Sequence, residues 1–136
     1  MADDSRILIV DDEPIVCERL KAFLENDGYG VETIIDPTEA MRRLESKAFD
    51  IVISDIRMGA IDGIQIMEKV FQKSGFTKVI MITGYATLEL AREALAKGAF
   101  DFIAKPFKMK EIRGTIKRAL ASLDRSRHTL NNADGE

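Results

Sequence analysis

The chain has 136 residues, of which 46% are hydrophobic and 32% charged, and its formal net charge at pH 7 is -3. A chain of this length folds as one domain that buries about two thirds of its unfolded surface, and its composition excludes disordered, collagen-like and low-complexity proteins. One cysteine (Cys17) and one histidine (His128) exclude an internal disulfide and a Cys/His metal cluster, so any metal must be a hard cation bound by oxygen atoms.

Short apolar runs rich in β-branched residues predict five strands along the chain. They cover residues 6–10, 30–35, 50–54, 78–82 and 100–104. Each run is followed by a segment with helical periodicity. Gly28 is typical of the end of the first helix, Asp36 and Pro37 of the start of the second, and Gly98 of the end of the fourth. The apolar positions of the last three helices are Ile64, Met67 and Phe71, then Leu88, Ala91 and Leu95, then Met109, Ile112, Ile116, Leu120 and Leu123.

Five alternations of strand and helix predict an α/β fold with helices on both faces of a parallel sheet. The first, third and fourth runs are continuously apolar, as central strands covered on both faces must be. The second and fifth runs contain polar residues, which is typical of edge strands. The predicted architecture is therefore a flavodoxin-like (βα)5 doubly wound sheet with strand order 2-1-3-4-5.

Polar side chains follow the predicted strands at the edge where their carboxyl ends meet. Asp11 and Asp12 follow the first strand, Asp55 the third, Thr83 the fourth and Lys105 the fifth. In an open parallel sheet, ligands bind outside the carboxyl ends of the strands, where the strand order reverses. We therefore expect these side chains to converge on one crevice.

The residue types in this crevice favour chemistry on a phosphoryl group. Three carboxylates, with Glu13 beside them, repel one another and resist ionising unless a cation neutralises them. Oxygen ligands without histidine or cysteine indicate Mg²⁺. Asp55 can then act as a nucleophile toward phosphorus, while Mg²⁺, the Lys105 ammonium and the Thr83 hydroxyl each take one phosphoryl oxygen. A structural alternative for the acids alone is capping of the first helix by Asp12.

Four stretches carry a family resemblance. They are VDDEP at 10–14, SDIRM at 54–58, MITG at 81–84 and KPF at 105–107. Each stretch alone is weak, but spacings of 43, 28 and 22 residues between Asp12, Asp55, Thr83 and Lys105 make the combination specific. Over residues 4–122 the chain resembles the receiver domain of bacterial two-component response regulators.

The resemblance implies a role for each matching residue. Asp55 is expected to take a phosphoryl group from a sensor histidine kinase or phosphotransfer protein. Mg²⁺ is expected to be held by Asp12, Asp55 and the backbone carbonyl of Arg57, with Asp11 acting through water. A cis peptide bond is expected before Pro106. Such a domain catalyses only its own phosphorylation and dephosphorylation, so the chain is not expected to be an enzyme.

Other positions qualify the resemblance. The switch position coupled to Thr83 is Phe102, where many members have tyrosine. We therefore expect either a switch that is weaker or uses other contacts, or a residue that serves only the core. Gly59 stands where many members have proline, which predicts a looser loop beside the site. Arg57 and Tyr85 occupy positions that gate water attack in the family, and their bulk predicts a long phosphoryl lifetime.

Three alternatives compete with this interpretation. A phosphohydrolase of the haloacid dehalogenase kind needs two aspartates one residue apart and usually a cap domain, whereas Asp11 and Asp12 are adjacent and the chain is short. A pseudo-receiver would be a protein-binding module of the same fold that is never phosphorylated. A nucleotide-binding flavodoxin-like protein is disfavoured because no glycine-rich loop follows the first strand.

The chain is expected to be soluble and cytoplasmic, without a membrane partner. No apolar run reaches the roughly 18 residues of a membrane span, and the acidic start does not resemble a signal peptide. Residues 105–128 carry 2 acidic and 8 basic side chains. This excess favours a solvated helix face over a nucleic-acid site, and we expect no direct nucleic-acid binding by this domain.

The domain is predicted to pass its signal on through one face, formed by the fourth helix, fifth strand and fifth helix. This face would bind a partner protein or an output domain. Residues 80–107 resemble receivers of transcription regulators, including the sigma-54-activator type. Residues 123–136 are predicted to be a helix extension and polar tail or the start of a linker, frayed from about Ser126. The fifth helix has coiled-coil spacing at Met109, Ile112, Ile116, Ala119 and Leu123, which predicts either continuation into a linker helix or a phosphorylation-dependent homodimer.

Overall fold

Five parallel strands form one sheet in the order β2-β1-β3-β4-β5, as predicted. The computed structural model describes residues 5–84 and 87–135, with the backbone alone described for 124–135. The strands are β1 Arg6–Val10, β2 Gly30–Ile34, β3 Ile51–Asp55, β4 Lys78–Thr83 and β5 Asp101–Ala104. The helices are α1 Pro14–Asn26, α2 Pro37–Ser46, α3 Gly63–Lys73, α4 Leu88–Ala96 and α5 Met109–Gly135.

The central strands are buried because helices cover both faces of the sheet. In β1, Leu8 and Val10 belong to a core with α2, α3 and α4, while Ile7 and Ile9 belong to a second core with α1 and α5. This alternation follows from the two-residue period of a strand. The edge strands β2 and β5 are partly exposed, which confirms their predicted positions. The two cores hold the carboxyl ends of β1, β3 and β4 side by side.

Helix α4 is where the sequence predicts, but it presents a different face to the core. Ala91 and Ala94 are fully buried, whereas Leu88 and Leu95 are 40% and 38% exposed. The small alanines allow the helix to pack closely on the sheet, which places the leucines toward solvent. Of the three apolar positions that predict this helix, Ala91 packs on the sheet and Leu88 and Leu95 are partly exposed.

Helix α5 bears on two predictions about the end of the chain. Its backbone is helical through Gly135, including the residues predicted to be a helix extension or a frayed tail. Its seam of apolar residues belongs to the domain's own core, since Ile112, Ile116 and Ala119 are fully buried beside α1 and the sheet. A seam already covered within the chain cannot also pair with a second copy. The coiled-coil spacing thus supports no homodimer through residues 109–123.

No helix in the described part of the chain has the length and apolar character needed to cross a membrane.

Candidate functional site

Three carboxylates and one ammonium meet at the carboxyl edge of the sheet. Asp11, Asp12 and Asp55 each place an oxygen within 4.8 Å of the others. Asp11 and Asp55 are buried and Asp12 is exposed. Lys105 Nζ lies 3.1 Å from Asp55 Oδ2 and 3.2 Å from Asp11 Oδ2. The sequence prediction that strand ends bring these four residues together is therefore matched by the geometry.

A glycine allows the start of α3 to pack directly over the end of β3. A Cβ on Gly63 would lie 2.5 Å from the backbone oxygen of Asp55 and 2.9 Å from Cα of Ile56. The Gly63 N–H donates to the Ile56 carbonyl at 2.7 Å. Asp62 and Gln65 close a reciprocal capping box around the same helix start. This packing fixes the backbone that carries the Asp55 carboxylate.

The buried carboxylate of Asp11 has a hydrogen-bond donor for only one of its two oxygens. Its Oδ1 accepts a 2.9 Å hydrogen bond from the Glu13 N–H. Its Oδ2 is buried without a hydrogen-bond partner, so the contact with Lys105 is ionic only. Burial raises the pKa of Asp11 above its ordinary value, and the charge of Asp55 raises it further. An orphaned, buried carboxylate oxygen beside two other carboxylates is what a hard divalent cation would satisfy, so these residues fit Mg²⁺.

Lys105 is surrounded by acids. Its Nζ donates to Glu13 Oε1 at 2.6 Å and to Asp55 Oδ2 at 3.1 Å. The Lys105–Pro106 peptide bond is cis, as the resemblance implies. Burial alone would lower the pKa of Lys105, but the hydrogen bonds to Glu13 and Asp55 outweigh it and the pKa is raised. The ammonium therefore stays charged at neutral pH.

Glu13 is bonded directly to Lys105, a contact that the sequence analysis did not predict. The strand-end argument brings Glu13 and Lys105 to the same crevice, but it does not say which acid lies nearest the ammonium. Glu13, not Asp12, is the N-cap residue of α1, and its side chain makes no capping hydrogen bond. The structural alternative, in which Asp12 caps this helix, is therefore wrong.

The Thr83 hydroxyl is held on the side of the β4–α4 connection. It is buried and hydrogen bonds to the Thr87 hydroxyl and, at 3.0 Å, to the Gly84 carbonyl. Thr87 Oγ1 in turn accepts from the Gly84 N–H at 3.0 Å. The sequence analysis did not identify Thr87, which is the N-cap residue of α4 and lies across the connection from Thr83 at the end of β4. These hydrogen bonds direct the Thr83 hydroxyl toward Thr87.

The remaining predicted residues lie around this centre in different environments. Phe102 is half-buried and packs against the core that contains α2, α3 and α4. Arg57 is exposed. Gly59 has a φ of 83°, a left-handed conformation that requires glycine in this turn, so its presence follows from backbone geometry. Tyr85 lies outside the described residues.

Cys17 packs behind the site as a small apolar residue. It is buried in the core with α1 and α5, and its thiol donates to the backbone carbonyl of Asp11 at 3.3 Å. Burial, followed by the charge of Asp11, raises the pKa of Cys17 to about 11. The thiol is therefore protonated and unreactive at neutral pH.

Two grooves flank the site. A groove of about 650 Å³ lies between the start of α1 and the segment after β5, and its lining includes Glu13, Ile15, Lys105 and Phe107. A second groove of about 390 Å³ runs between β5 and α5, beside Phe102. Ile15 is 64% exposed, which is unusual for an isoleucine and leaves an apolar surface next to the charged centre.

Known proteins with similar sequences are transcriptional regulators much longer than this chain. The chain is 34% identical over 119 residues to the transcriptional regulatory protein ZraR of Escherichia coli K12, covering 88% of this chain and 27% of that protein. It is 37% identical over 116 residues to the regulatory protein AtoC of the same strain, covering 85% and 25%. The chain thus spans about a quarter of the length of these relatives.

Solved structures with the same fold include receiver domains. The CheY-like response regulator receiver domain protein of Methanospirillum hungatei JF-1 superposes with a TM-score of 0.85 at 32% identity, covering 91% of this chain and 99% of that one. Residues 7–117 match the family described as the response regulator receiver domain. The chain belongs to the response regulator receiver domain family of two-component signal transduction.

Proposed function

We propose that this domain is switched by phosphorylation of Asp55. The observation that carries the proposal is the position of the buried Asp55 carboxylate, which lies within 4.8 Å of oxygens of Asp11 and Asp12 and 3.1 Å from Lys105 Nζ. Asp55 therefore has both oxygen ligands for a cation and a positive charge beside it. A carboxylate in this setting can attack phosphorus while its surroundings neutralise the phosphoryl oxygens.

The proposed transfer is a direct displacement at phosphorus. An Asp55 carboxylate oxygen forms a bond to phosphorus as the P–N bond of a donor phosphohistidine breaks, and the electron pair of that bond stays on the imidazole nitrogen. Lys105 is already charged and needs no proton transfer to bind a phosphoryl oxygen. Small acyl phosphates would donate by the same displacement, with a P–O bond breaking instead.

The acids of this chain are proposed to hold Mg²⁺ for this step. Asp12, Asp55 and the carbonyl of Arg57 would ligate it, and Asp11 would contact it through water. When bound, the ion supplies positive charge to one phosphoryl oxygen and relieves the repulsion among the acids. Burial of Asp11 Oδ2 without a hydrogen bond supports this assignment.

Switching is proposed to begin with Thr83. Its hydroxyl would leave Thr87 and the Gly84 carbonyl and donate to a phosphoryl oxygen, which removes two contacts from the β4–α4 connection. Phe102, half-buried beside the groove between β5 and α5, would change its packing in response. Because Phe102 has no hydroxyl, its movement can gain packing energy but no hydrogen bond.

The phosphorylated state is proposed to be long-lived. Arg57 is exposed beside the site, and Tyr85 follows Thr83 by two residues in the sequence. Side chains of this size would obstruct a water molecule approaching phosphorus in line with the Asp55–phosphorus bond. Loss of the phosphoryl group within seconds would contradict this part of the proposal.

A histidine kinase or phosphotransfer protein is the proposed donor, and the groove beside Ile15 is its proposed docking site. The groove reaches Lys105, so a protein seated there could bring a phosphohistidine to Asp55. Output is proposed through α4, β5 and α5 to a transcription-regulator domain of the sigma-54-activator type, as in a soluble cytoplasmic regulator. The similarity to ZraR and AtoC, which are longer transcriptional regulators, supports this output.

The test is phosphorylation by a small donor. The protein is incubated with acetyl phosphate with and without Mg²⁺, and its intact mass is measured. We expect one phosphoryl group on the wild type with Mg²⁺, and none without Mg²⁺ or in Asp55→Asn. Glu18→Gln, which removes an exposed charge on α1, is the matched control and is expected to be phosphorylated normally. No gain of mass in the wild type at saturating Mg²⁺ would favour a pseudo-receiver.

A further inference from the structure

Glu13 stands at the N-terminal end of α1, where a side chain normally hydrogen bonds to the first turn of its own helix. It is the N-cap residue of α1, yet its side chain makes no capping hydrogen bond. Its backbone N–H instead donates to Asp11 Oδ1 at 2.9 Å, and its carboxylate accepts from Lys105 Nζ at 2.6 Å. One residue therefore orients a carboxylate of the site with its backbone and holds the ammonium of the site with its side chain.

The three carboxylates around Lys105 are not equivalent. The hydrogen bond to Glu13 is 2.6 Å long and that to Asp55 is 3.1 Å, whereas Asp11 Oδ2 lies 3.2 Å away in an ionic contact. The Asp11 and Asp55 side chains are 0% and 13% exposed and are fixed by the surrounding core, whereas Glu13 is 60% exposed. Only Glu13 can swing into water without burying or stranding its charge.

An ammonium has three N–H donors, and here three carboxylates surround them. Hydrogen bonds to Glu13 and Asp55 already use two of these donors, and a phosphoryl group on Asp55 brings several more oxygen acceptors within reach of Lys105, so the present partners compete with them for the ammonium. Asp55 carries the phosphoryl group itself, and Asp11 has no room to move away. Glu13 is therefore the acceptor that a phosphoryl oxygen displaces.

We propose that Glu13 is a positioning residue that competes with the phosphoryl group for Lys105. The inference rests on the proposed function, because it needs a phosphoryl group on Asp55. Glu13 restrains the ammonium in the unphosphorylated protein, and release of this bond opposes phosphorylation. Removing the Glu13 charge thus favours the phosphorylated state, even though Glu13 never contacts the phosphorus atom.

The test uses beryllofluoride, a non-covalent phosphoryl mimic, at saturating Mg²⁺. Its affinity is measured by ¹⁹F NMR titration of the wild type and Glu13→Gln, with Glu18→Gln as a matched loss of charge on the same helix. Exposed ion pairs are weak, so we expect Glu13→Gln to bind about threefold more tightly and Glu18→Gln to match the wild type. Glu13→Ala, which removes the acceptor altogether, is expected to change the affinity in the same direction.

Two further readouts separate competition from a structural role. The fluorine resonance nearest Lys105 is expected at the same position in the wild type and in Glu13→Gln, since Glu13 has left Lys105 once beryllofluoride is bound. Raising the ionic strength from about 0.05 M to 0.5 M is expected to shrink the difference in affinity between wild type and variant, because salt screens an exposed pair. A general loss of structure in the variant would move the resonance and would not give this salt dependence.

The outcomes distinguish the two proposals. If the wild type binds beryllofluoride and the Glu13 variants bind it equally or more weakly, the inference about Glu13 is overturned and the proposed function stands. If the wild type does not bind it at saturating Mg²⁺, the proposed function fails and the inference fails with it. Asp55→Asn, which is expected not to bind, shows that the titration reports on the site.

Discussion

Two clusters of charge in this domain have opposite compositions. At the carboxyl edge of the sheet, the carboxylates of Asp11, Glu13 and Asp55 share the ammonium of Lys105, and Asp12 adds a fourth carboxylate beside them. At the outer edge, one carboxylate, Glu32 on β2, is surrounded by cations. It accepts two bonds from Arg43 and one from Lys47, at 2.8–2.9 Å, and lies 3.8 Å from Arg6.

The pKa values of the two clusters move in opposite directions for this reason. The hydrogen bond from Arg43, followed by that from Lys47, lowers the pKa of Glu32 to about 2. Burial, followed by the charge of Asp55, raises the pKa of Asp11. The Glu32 cluster is complete within the folded chain and stabilises it, whereas the cluster at Asp11 lacks positive charge. An incomplete cluster at the carboxyl edge of a parallel sheet is the signature of a ligand site, and the following predictions test this contrast.

Mg²⁺ is expected to have the largest effect. A ligand that binds only the folded state, present at 100 times its Kd, stabilises that state by about 2.7 kcal/mol. We expect a gain of this size in the wild type, measured by urea unfolding with and without Mg²⁺. Asp12→Asn is expected to lose most of the gain, because it removes a carboxylate that contributes to the cation site.

Glu32→Gln is the control for this experiment. It removes a carboxylate from the complete cluster, so the gain in stability on adding Mg²⁺ should remain as in the wild type. An equal loss of the Mg²⁺ effect in both variants would mean that the ion acts on the total charge of the protein and not at the carboxyl edge.

Removing one carboxylate from each cluster is expected to change stability in opposite directions. In the absence of Mg²⁺, Asp11→Asn removes a buried, repelled charge and should raise the free energy of unfolding by about 1 kcal/mol. Glu32→Gln breaks charge-assisted hydrogen bonds and should lower it by about 1 kcal/mol. Both free energies of unfolding are measured with urea at pH 7. A loss of stability in both variants would show that removing a carboxylate has the same effect in the two clusters, contrary to this prediction.

The sequence was sufficient to predict the fold and the convergence of Asp11, Asp12, Asp55 and Lys105 at one edge of the sheet. Alternation of apolar runs and helical periods predicts the strand order, and strand order alone brings residues as distant as Asp11 and Lys105 to one edge. These predictions succeed because they depend on backbone topology. The contacts of Lys105 with Glu13 and of Thr83 with Thr87 could not be predicted, because they depend on side-chain rotamers and on which acceptor lies nearest.

Packing explains why helical periodicity alone gave an incomplete account of α4 and α5. The seam of Ile112, Ile116 and Ala119 has the spacing of a coiled coil, but a helix that covers a sheet needs the same spacing. In α4 the leucines have the larger apolar surface, yet the alanines face the sheet because they allow a closer approach. Periodicity identifies an apolar face without saying which surface covers it.

The pH dependence of the unfolding free energy should show the contribution of the Glu32 cluster. Glu32 has a folded pKa of about 2 against 4.5 for the unfolded chain, so the unfolded chain takes up its proton first as the pH falls. The stabilisation is present above pH 4.5 and is lost between 4.5 and 2. We expect the difference in unfolding free energy between wild type and Glu32→Gln to be constant from pH 7 to 5 and to shrink by about 1 kcal/mol by pH 3. A difference that stays constant to pH 3 would contradict the assigned pairing.

The smallest expected effect concerns how the three cations share Glu32. Arg43 makes two bonds of 2.9 and 2.8 Å, whereas Arg6 lies 3.8 Å away with 51% of its side chain exposed. A bidentate pair constrains both partners, while a long exposed contact competes with water and salt. Arg6→Gln should therefore change the unfolding free energy by less than about 0.3 kcal/mol and leave the pKa of Glu32 low in a carboxyl NMR titration. Arg43→Gln should destabilise the protein measurably and raise that pKa, and equal effects of the two variants would show that the cluster acts by summed charge and not by hydrogen-bond geometry.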